Sequence, residues 1–384
     1  MENTFSQRAE ASTPVHNQLA EVRHRRGLSA AALAARVGVR RQTIYAIEAR
    51  RYMPNTLLSL RLAQVLEVPV EELFSIEAET IPLEKPTPVE LLALPESAGR
   101  SDWPVRLCAV GSRMIGVPSP PVLGELPSAD AVVVGPGRGG KTLVRAFRGE
   151  EEAGNRLIVA GCDPAMPVLA RHMLKHGSVE LIPAQCSSLQ ALKWLKDRRV
   201  HVAGTHLRNE SAPGSKSGVI EKFFPRGGFR IVTFASWDEG LVVARTNPKR
   251  ISGFADLTRK DVTLINREVG AGARYLLDSS LKKEGISPRK IRGYELTAAG
   301  HVLAAWHVQT AKADCCIATR AAARIFGLGF IPLVSERYDL VIPDQHWETP
   351  SVRIVLDSLN RTSLKRELEV LGGYDTSETG CLPQ

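Results

Sequence analysis

Short apolar segments alternate with helix-like segments along most of the chain after Arg156. Strands that alternate with helices in this way favour a parallel sheet with helices packed on its faces. The first strands and helices of this pattern are predicted at 157–159, 164–175, 179–182, 187–196 and 200–203. The same alternation resumes at Gly240, so the sequence predicts two α/β lobes.

The ends of the predicted strands carry small polar residues. In such sheets, ligands bind beyond the carboxyl ends of the strands, where helix N-termini present free backbone N–H groups and a partial positive charge. In the first lobe these positions hold Cys162, Asp163, Ser187, Ser188, Thr205 and His206. In the second lobe a glycine-rich turn before a helix supplies Asn266, Arg267, Gly270, Ala271, Gly272 and Arg274. N–H groups and small hydroxyls suit a small oxyanion, which we expect to bind between the lobes.

The two arginines of this set have a second interpretation. Arg267 and Arg274 can each hold an anion in bidentate fashion. Each can equally form an ion pair with a nearby carboxylate, Glu268 or Asp278. The sequence leaves both possibilities open.

The remaining candidate ligands are two histidines and a tyrosine. We expect His206 and His301 to donate hydrogen bonds to the anion, whereas Tyr338 either closes over the ligand or fills the core as a buried tyrosine. His301 and His307 are six residues apart, which does not place two metal ligands on one face of a helix. We therefore expect no metal site and no cofactor other than a bound oxyanion.

Arginine is concentrated near the start of the chain. The whole sequence has 50 basic and 41 acidic residues, a net charge of +9. Between Arg23 and Arg51 there are eight arginines and one acidic residue, Glu48. This density predicts a phosphate-binding surface, because a face that is only solvated usually intersperses acids as ion-pair partners.

The same region predicts five short helices. The second begins after Ser29 and is joined to the third by a tight turn at Gly38, which is a helix-turn-helix arrangement. Ile44 and Ile47 of the third helix are expected in the core. The fourth helix, predicted at 56–66, takes its apolar positions from Leu57, Leu60, Ala63 and Val65.

Residues 28–74 resemble the Xre/Cro-type helix-turn-helix domain in their apolar spacing, in Gly38, in Ile47 with Glu48, and in Pro54 followed by Leu-x-x-Leu. The resemblance implies that the third helix enters the major groove of DNA. The candidate base and backbone contacts are then Arg40, Arg41, Gln42, Thr43, Tyr45, Arg50 and Arg51. Two positions depart from the family. This chain has Ala30 where the family usually has Gln, and Arg50 where it usually has Gly.

The order of segments over residues 155–380 resembles a type II periplasmic-binding-protein-type domain, in the molybdate/tungstate-type version found fused to cytoplasmic regulators. Segments that carry the resemblance include VAGCDPAMPVLARHM, VAGTHLRN, LINREVGAGARYLLD and LGGYDTSETG. It implies one lobe formed by 155–237 and 333–384, a second formed by 238–332, and a ligand between them. The family has hydroxyl residues where Ala273 and Gly300 stand, so a pterin cofactor metabolite remains an alternative to molybdate.

Residues 135–142, GPGRGGKT, match the phosphate-binding pattern GxxxxGK[ST]. In a P-loop, Lys141 would reach the nucleotide phosphates and Thr142 would hold Mg²⁺. Only about two helical turns fit between Thr142 and Gly149, too few for a helix that crosses a sheet. The sequence therefore favours a hairpin turn, with nucleotide binding as the alternative.

The predicted fold class is a helical helix-turn-helix domain joined by a small β-rich segment to a two-lobed α/β periplasmic-binding-protein-like domain. The predicted parts are the helix-turn-helix domain at 17–75, a proline-containing linker with at most one short helix at 76–103, the β-rich segment at 104–150 and the ligand-sensing domain at 155–384. Hydrophobic content of 43% and charged content of 24% are ordinary for a folded protein. Six cysteines without CxxC spacing predict free thiols.

These features predict a ligand-responsive one-component transcriptional regulator rather than an enzyme, because no catalytic set of residues is placed together by the pattern. The expected partners are double-stranded DNA, a small anion and a second copy of the chain, and no membrane. With no apolar span or leader in the sequence, we expect a cytoplasmic location. The alternatives are a nucleotide-binding protein that uses residues 135–142, and a DNA-binding protein whose C-terminal domain only dimerises.

Overall fold

The computed structural model describes residues 15–76, 85–92, 101–119, 126–147, 155–177, 179–206 and 217–383. Two units are distinguished, Met1–Glu84 and Lys85–Gln384. Much of the predicted linker, 77–84 and 93–100, lies outside the described residues.

Within residues 15–76, the described part of the first unit, there are five helices and a pair of short antiparallel strands, and the predicted helices are confirmed. In chain order the elements are β1 (Val15–Asn17), α1 (Leu19–Arg25), α2 (Ala30–Val37), α3 (Arg41–Glu48), α4 (Thr56–Leu66), α5 (Val70–Leu73) and β2 (Phe74–Ile76). Ser29 caps α2 by accepting a hydrogen bond from the backbone N–H of Ala32, and Gly38 ends α2 with a left-handed φ of 76°. Ile44 and Ile47 are fully buried, as predicted.

The buried face of α4 differs from the predicted one. Leu58 and Leu62 are buried, whereas the predicted Leu57 and Leu60 are 58% and 54% exposed. Leucines occur on several sides of α4, so periodicity alone does not select a face. The choice is made by packing of α4 against α2 in the shared core.

The predicted β-rich segment is confirmed and forms a closed barrel in the order β3–β5–β4–β6–β7. Its strands are β3 (Thr87–Leu91), β4 (Pro104–Val110), β5 (Arg113–Pro118), β6 (Ala131–Pro136) and β7 (Thr142–Ala146). The strand β3 lies inside the predicted linker, which was expected to hold at most one short helix. It pairs with β5 on one side and β7 on the other, and so leaves the barrel without an open edge.

Residues 135–142 form the hairpin turn that the sequence favoured. Strands β6 and β7 pair antiparallel, with Pro136 opposite Thr142, and Arg138–Gly140 is a single 3₁₀ turn. Because Thr142 begins a strand instead of a helix, this turn lacks the strand–loop–helix structure of a P-loop. The nucleotide-binding alternative is therefore wrong.

The α/β domain is built on one seven-stranded sheet in the order β14–β11–β15–β10–β8–β9, with β16 paired to β11. The seven strands of this sheet are β8 (Arg156–Gly161), β9 (Glu180–Gln185), β10 (Val202–Thr205), β11 (Phe229–Val243), β14 (Cys315–Thr319), β15 (Gly329–Pro343) and β16 (Tyr374–Asp375). Two further short strands, β12 (Asn266–Arg267) and β13 (Thr297–Ala298), pair with each other in a separate parallel sheet. The helices are α6 (Met166–Gly177), α7 (Ser188–Lys196), α8 (Ser217–Phe223), α9 (Gly272–Lys283), α10 (His301–Gln309), α11 (Arg320–Ile325), α12 (Asp344–Trp347), α13 (Pro350–Leu359) and α14 (Thr362–Gly372). No helix among these described residues is long and apolar enough to cross a membrane.

The sheet is mixed rather than wholly parallel as predicted. Strands β8, β9 and β10 are parallel to one another, but β15 is antiparallel to β10, β11 to β15, and β14 to β11. The two fifteen-residue strands, β11 and β15, pair along most of their length and run through both predicted lobes. Their register shifts between Thr233 and Ala235 and between Glu239 and Gly240.

Arg156 joins the barrel to the α/β domain. Its two Nη atoms donate to the two carboxylate oxygens of Asp130 at 2.8 and 3.0 Å, and Nη1 also donates to the Leu107 carbonyl at 2.8 Å. Its Nε donates to Glu180 on β9 at 2.9 Å. Apolar side chains of β4 and β5 share one core with the sheet, so the barrel is packed firmly on the α/β domain.

We expect Arg156→Ala to lower the free energy of unfolding of the second unit by about 2 kcal/mol, because it removes a buried guanidinium that donates to Asp130, Glu180 and the Leu107 carbonyl, although Arg106 still pairs with both carboxylates. Urea denaturation followed by circular dichroism measures the effect. Arg138→Ala, at an exposed position of the hairpin turn, is the matched control and should change stability by less than about 0.5 kcal/mol. Equal stability of the two variants would contradict the joining role of Arg156.

His201 predicts a pH dependence of stability. Its ring is buried and its Nδ1 accepts the backbone N–H of Ile158 at 3.1 Å, and burial lowers its pKa to about 4, with His346 adding to the effect. Because the unfolded histidine titrates near 6.5, its contribution to stability is complete above about pH 6.5 and is lost as the pH falls toward 4. His201→Asn, which keeps an acceptor but has no titrating ring, should flatten this part of the pH profile of unfolding. An unchanged profile would contradict the assignment.

Candidate functional site

Strand ends and helix N-termini meet in the cleft between the two lobes. Leu189, in the first turn of α7, donates its backbone N–H to the carbonyl of Gly270, just before α9, at 3.4 Å. Gly300, just before α10, donates its N–H to the Glu268 carboxylate at 3.4 Å. Neither α9 nor α10 has a side-chain N-cap, which leaves first-turn N–H groups for a ligand.

His206 is held at the centre of the cleft. Its Nδ1 lies 2.5 Å from Glu336 Oε2 and its Nε2 lies 3.5 Å from Cys162 Sγ. A Cβ at Gly272 would lie 2.1 Å from the His206 ring, so this first residue of α9 has to be glycine. These contacts fix the orientation of the imidazole and both of its nitrogens.

Glu239 and His301 extend this group from the second lobe. Both are completely buried, and Glu239 lies 3.8 Å from His301 Nδ1 and 3.9 Å from His206 Nδ1. Among the described residues, neither ring nitrogen of His301 has a hydrogen-bond partner. Such an imidazole is costly to bury, so its nitrogens are available to a ligand.

Burial and neighbouring charges perturb the pKa values of these groups. Burial raises the pKa of Glu239 to about 8, and the Glu336 carboxylate adds to the rise. Burial opposes the charge of His206, but Cys162 and Glu336 outweigh it and raise its pKa well above the usual value. Burial, with Arg267 and His206, lowers the pKa of His301 well below its usual value. The cleft therefore holds a charged His206 beside a neutral His301 near neutral pH.

The predicted ion pairs of the two arginines are both present. Arg267, only 1% exposed, donates to Glu268 through Nε at 2.8 Å and Nη2 at 2.9 Å. Its Nη1 has no partner among the residues that the structure describes. Arg274 lies 3.6 Å from Asp278 and stacks over the Tyr294 ring at 4.4 Å. Arg267 thus retains one donor for a ligand, whereas Arg274 is engaged by Asp278, the Tyr294 ring and the Arg267 carbonyl.

Aromatic residues close the opposite side of the cleft. Tyr338 is fully buried and stacks on Trp237 with ring centroids 4.9 Å apart. A Cβ at Gly161 or at Gly204 would lie 2.0 Å from the Tyr338 hydroxyl, so β8 and β10 can flank this ring only with glycine at these positions. Tyr338 is therefore a buried tyrosine that also borders the site.

The other predicted ligands have varied roles. Ser187 caps α7 by accepting from the Gln190 N–H, and Asp163 accepts from the Ala165 N–H at 2.6 Å and from the Tyr374 hydroxyl at 3.1 Å. Burial raises the pKa of Asp163 to about 7.

Thr205 is buried at the end of β10, and Ala271 is buried in the turn before α9. Asn266 is used structurally, since its amide donates to the Tyr294 carbonyl at 3.0 Å and its oxygen accepts from the Arg267 N–H at 2.8 Å. Among described residues, Ser188 Oγ has no partner.

Sequence reasoning missed three residues as members of the site: Trp237, Glu239 and Glu336. Trp237 and Glu239 lie two apart on β11, and β15 places Glu336 opposite Trp237. The sequence did hold one signal for Glu239: it lies next to the apolar end of a predicted strand. A buried carboxylate without a partner is rare, so a glutamate at such a position indicates a functional site.

The first unit presents an arginine surface around α3. Arg23 is buried and paired with Glu48 at 2.6 Å, while Arg25 and Arg26 pair with Glu72 and Glu67. The other five arginines of the dense region are exposed and form no ion pair within the described residues: Arg36, Arg40, Arg41, Arg50 and Arg51. The predicted phosphate-binding surface would therefore use five arginines instead of eight, and these five lie around α3.

The predicted DNA-reading residues lie on one side of this surface. Arg41 and Gln42 are exposed in the first turn of α3, and Thr43 is half-buried. Arg41 donates to the Tyr45 hydroxyl at 2.7 Å and lies over its ring at 5.1 Å. This contact holds the Arg41 guanidinium against Tyr45 on the exposed side of α3.

Comparison with known proteins agrees with these two units. A helix-turn-helix family matches residues 19–73 and the PBP superfamily domain matches residues 170–360. The chain is 30% identical over 233 residues to the uncharacterized protein YvgK of Bacillus subtilis (strain 168), which covers 60% of this chain and 74% of YvgK. It is 40% identical over 63 residues to the uncharacterized HTH-type transcriptional regulator YgzD of the same organism, which covers 16% of this chain and 96% of YgzD.

Among solved structures, the chain is similar to a substrate-binding protein assigned to a phosphate ABC transporter of Clostridium perfringens, with bound phosphate. The TM-score is 0.44 at 13% identity, and the match covers 56% of this chain and 98% of that protein.

Arg50 makes a testable connection between stability and DNA binding. It has a left-handed φ of 55°, a conformation that costs a non-glycine residue about 1 kcal/mol. Arg50→Gly should therefore stabilise the first unit by about that amount while weakening its binding to duplex DNA. Arg50→Ala, the matched control, loses the same charge but keeps the strain, so it should weaken binding equally without the gain in stability.

Thermal unfolding and binding to a labelled duplex over a range of salt concentrations measure the two effects. Loss of one phosphate contact lowers the slope of log affinity against log salt by about one unit. An unchanged slope in both variants would remove Arg50 from the DNA surface.

Proposed function

We propose that this chain, which belongs to the helix-turn-helix transcriptional regulators with a C-terminal PBP superfamily domain, responds to a small oxyanion bound in the cleft of its α/β domain. Double-stranded DNA is the partner of the first unit. Ligand binding in the second unit changes the affinity for an operator.

The free Nη1 of Arg267 carries the proposal for an anion. The Arg267 guanidinium is 1% exposed, and this nitrogen has no hydrogen-bond partner among the described residues. Burying such a donor costs free energy unless a ligand accepts its hydrogen bond. Two other buried donors in the cleft lack partners in the same part of the chain, Ser188 Oγ and Trp237 Nε1. Together with the uncapped starts of α9 and α10, they favour a compact ligand rich in acceptor oxygens.

Molybdate or tungstate, or a related molybdenum cofactor metabolite, is the ligand class we propose. Ala273 lies in the first turn of α9, and Gly300 precedes α10. Neither supplies a hydroxyl, so backbone N–H groups and Arg267 take its place. The residues of the cleft are buried, so the structure corresponds to a closed form. Ligand exchange then requires the lobes to move apart by bending of β11 and β15, the two strands that connect them.

The DNA-bound form is proposed to be a homodimer. One short helix-turn-helix reads a half-site, and a two-fold pair places two reading helices one helical turn, about 34 Å, apart on the DNA. A monomeric mass at micromolar concentration, both with and without a selected operator, would contradict this part of the proposal.

A thermal-shift series with molybdate, tungstate, sulfate, phosphate and pterins tests the ligand. A ligand at one hundred times its dissociation constant adds about 2.7 kcal/mol to stability. We expect Arg267→Gln to abolish this gain, while Arg259→Gln, which removes a half-buried arginine paired with Asp261, keeps it. If no anion stabilises the wild-type protein, the alternative of a C-terminal domain that only dimerises is favoured.

A further inference from the structure

Three side chains with metal-binding atoms face one another in the cleft: Cys162, His206 and His301. The sulfur and one ring nitrogen of each histidine all lie within 4.8 Å of one another. All three residues are buried. Cys162 follows β8, His206 follows β10 and His301 opens α10, so only the fold brings them together.

The separation of the first two atoms suits a tetrahedral metal ion. Cys162 Sγ and His206 Nε2 are 3.5 Å apart. A tetrahedral zinc ion with bonds of about 2.3 Å to sulfur and about 2.05 Å to nitrogen holds those atoms about 3.6 Å apart. This pair could therefore bind zinc without moving, and only the His301 ring has to adjust.

Carboxylates stand behind both histidines. Glu336 lies 2.5 Å from His206 Nδ1, so Nδ1 keeps its proton, and Nε2, which faces the sulfur, is the atom that gives up its proton to a metal ion. Glu239 lies 3.8 Å from His301 Nδ1. Metal-binding histidines in proteins regularly donate their second nitrogen to a carboxylate in this way, which fixes the ring and increases its basicity.

The charge of the cleft also favours a cation. Carboxyl groups outnumber arginines around these ligands: among the described residues, Glu239, Glu268 and Glu336 lie beside one arginine, Arg267. A dication reduces this excess, and it gives His301 the partner that its ring nitrogens lack in the described structure.

We propose that Cys162, His206 and His301 bind one divalent transition-metal ion of the zinc type, with Glu336 and Glu239 as acceptors for the outer nitrogens. One thiolate and two imidazoles favour zinc, cobalt or nickel over magnesium or calcium. Cys162 and His206 come from one lobe and His301 from the other, so the metal holds the cleft closed. Three protein ligands leave a fourth position that an anion can fill, but metal binding does not depend on that anion.

Cobalt and zinc added alone to untagged, chelator-treated full-length protein test the proposal. We expect one Co²⁺ per chain and a near-ultraviolet thiolate-to-cobalt charge-transfer band, which one equivalent of Zn²⁺ removes. Cys162→Ser should abolish the band, and His301→Gln should weaken Co²⁺ binding at least about tenfold. Cys186→Ser, which removes another buried thiol, should leave both unchanged.

Glu336→Gln tests whether Glu336 supports metal binding through His206 or only packs against its ring. It should keep the charge-transfer band but lower the affinity for Zn²⁺ by about 10- to 100-fold, the usual effect of losing an outer carboxylate. Failure of the wild-type protein to bind Co²⁺ or Zn²⁺ at micromolar concentration overturns the proposal, whatever the variants do. A band that persists in Cys162→Ser also overturns it. The anion series, repeated in the presence of chelator, remains a separate test of the proposed function.

Discussion

The pairing of β11 with β15 determines where the groups of the cleft lie. Each strand is fifteen residues long and runs through both lobes. Their register places Glu336 opposite Trp237, and the period of two along a strand puts Glu239 on the same face as Trp237. Both glutamates therefore meet His206, which stands at the end of β10, the other neighbour of β15. Because the same strands connect the lobes, separation of the lobes at their bulges would change the contacts made by His206, Glu239 and His301.

The cleft concentrates charged groups that are expensive to bury. Arg267, Glu239 and His206 are removed from water, and the high pKa of Glu239 reflects that cost. The apolar cores on the two faces of the sheet contribute the stability that offsets it. Elsewhere in the fold, as at Arg156, a buried cation is matched directly by carboxylates. Among the residues that the structure describes, the cleft is the place where several buried donors without partners lie near helix N-termini. For this reason we propose that the ligand binds there.

The local features of the fold could be predicted from the sequence, whereas its long-range contacts could not. Ser29, Gly38 and the period of Ile44 and Ile47 determine the helices of the first unit, because caps and periodicity act within a few residues. In α4, Ala63 and Val65 pack on the core as predicted, but Leu57 and Leu60 were predicted wrongly, since the leucines fit several faces and packing decides between them. Strand β3 was missed for the same reason, because its pairing partners are distant in sequence. The candidate ligand residues Cys162, Ser187 and His206 could be predicted because they follow the ends of predicted strands. Glu239 and Glu336 could not, because only the register of two long strands brings them to the site.

The affinity of the full-length protein for an operator, with and without its ligand, tests the central claim most directly. The operator is selected from random duplexes with the full-length chain, and the ligand is the anion that gives the largest thermal shift. Binding in the cleft should change the operator dissociation constant at least about fivefold, the lower end of ordinary coupling between sites, and Arg267→Gln should remove the change while leaving the unliganded affinity intact. An operator affinity that stays the same when the cleft is saturated would contradict the account, because ligand binding would then have no effect on DNA binding.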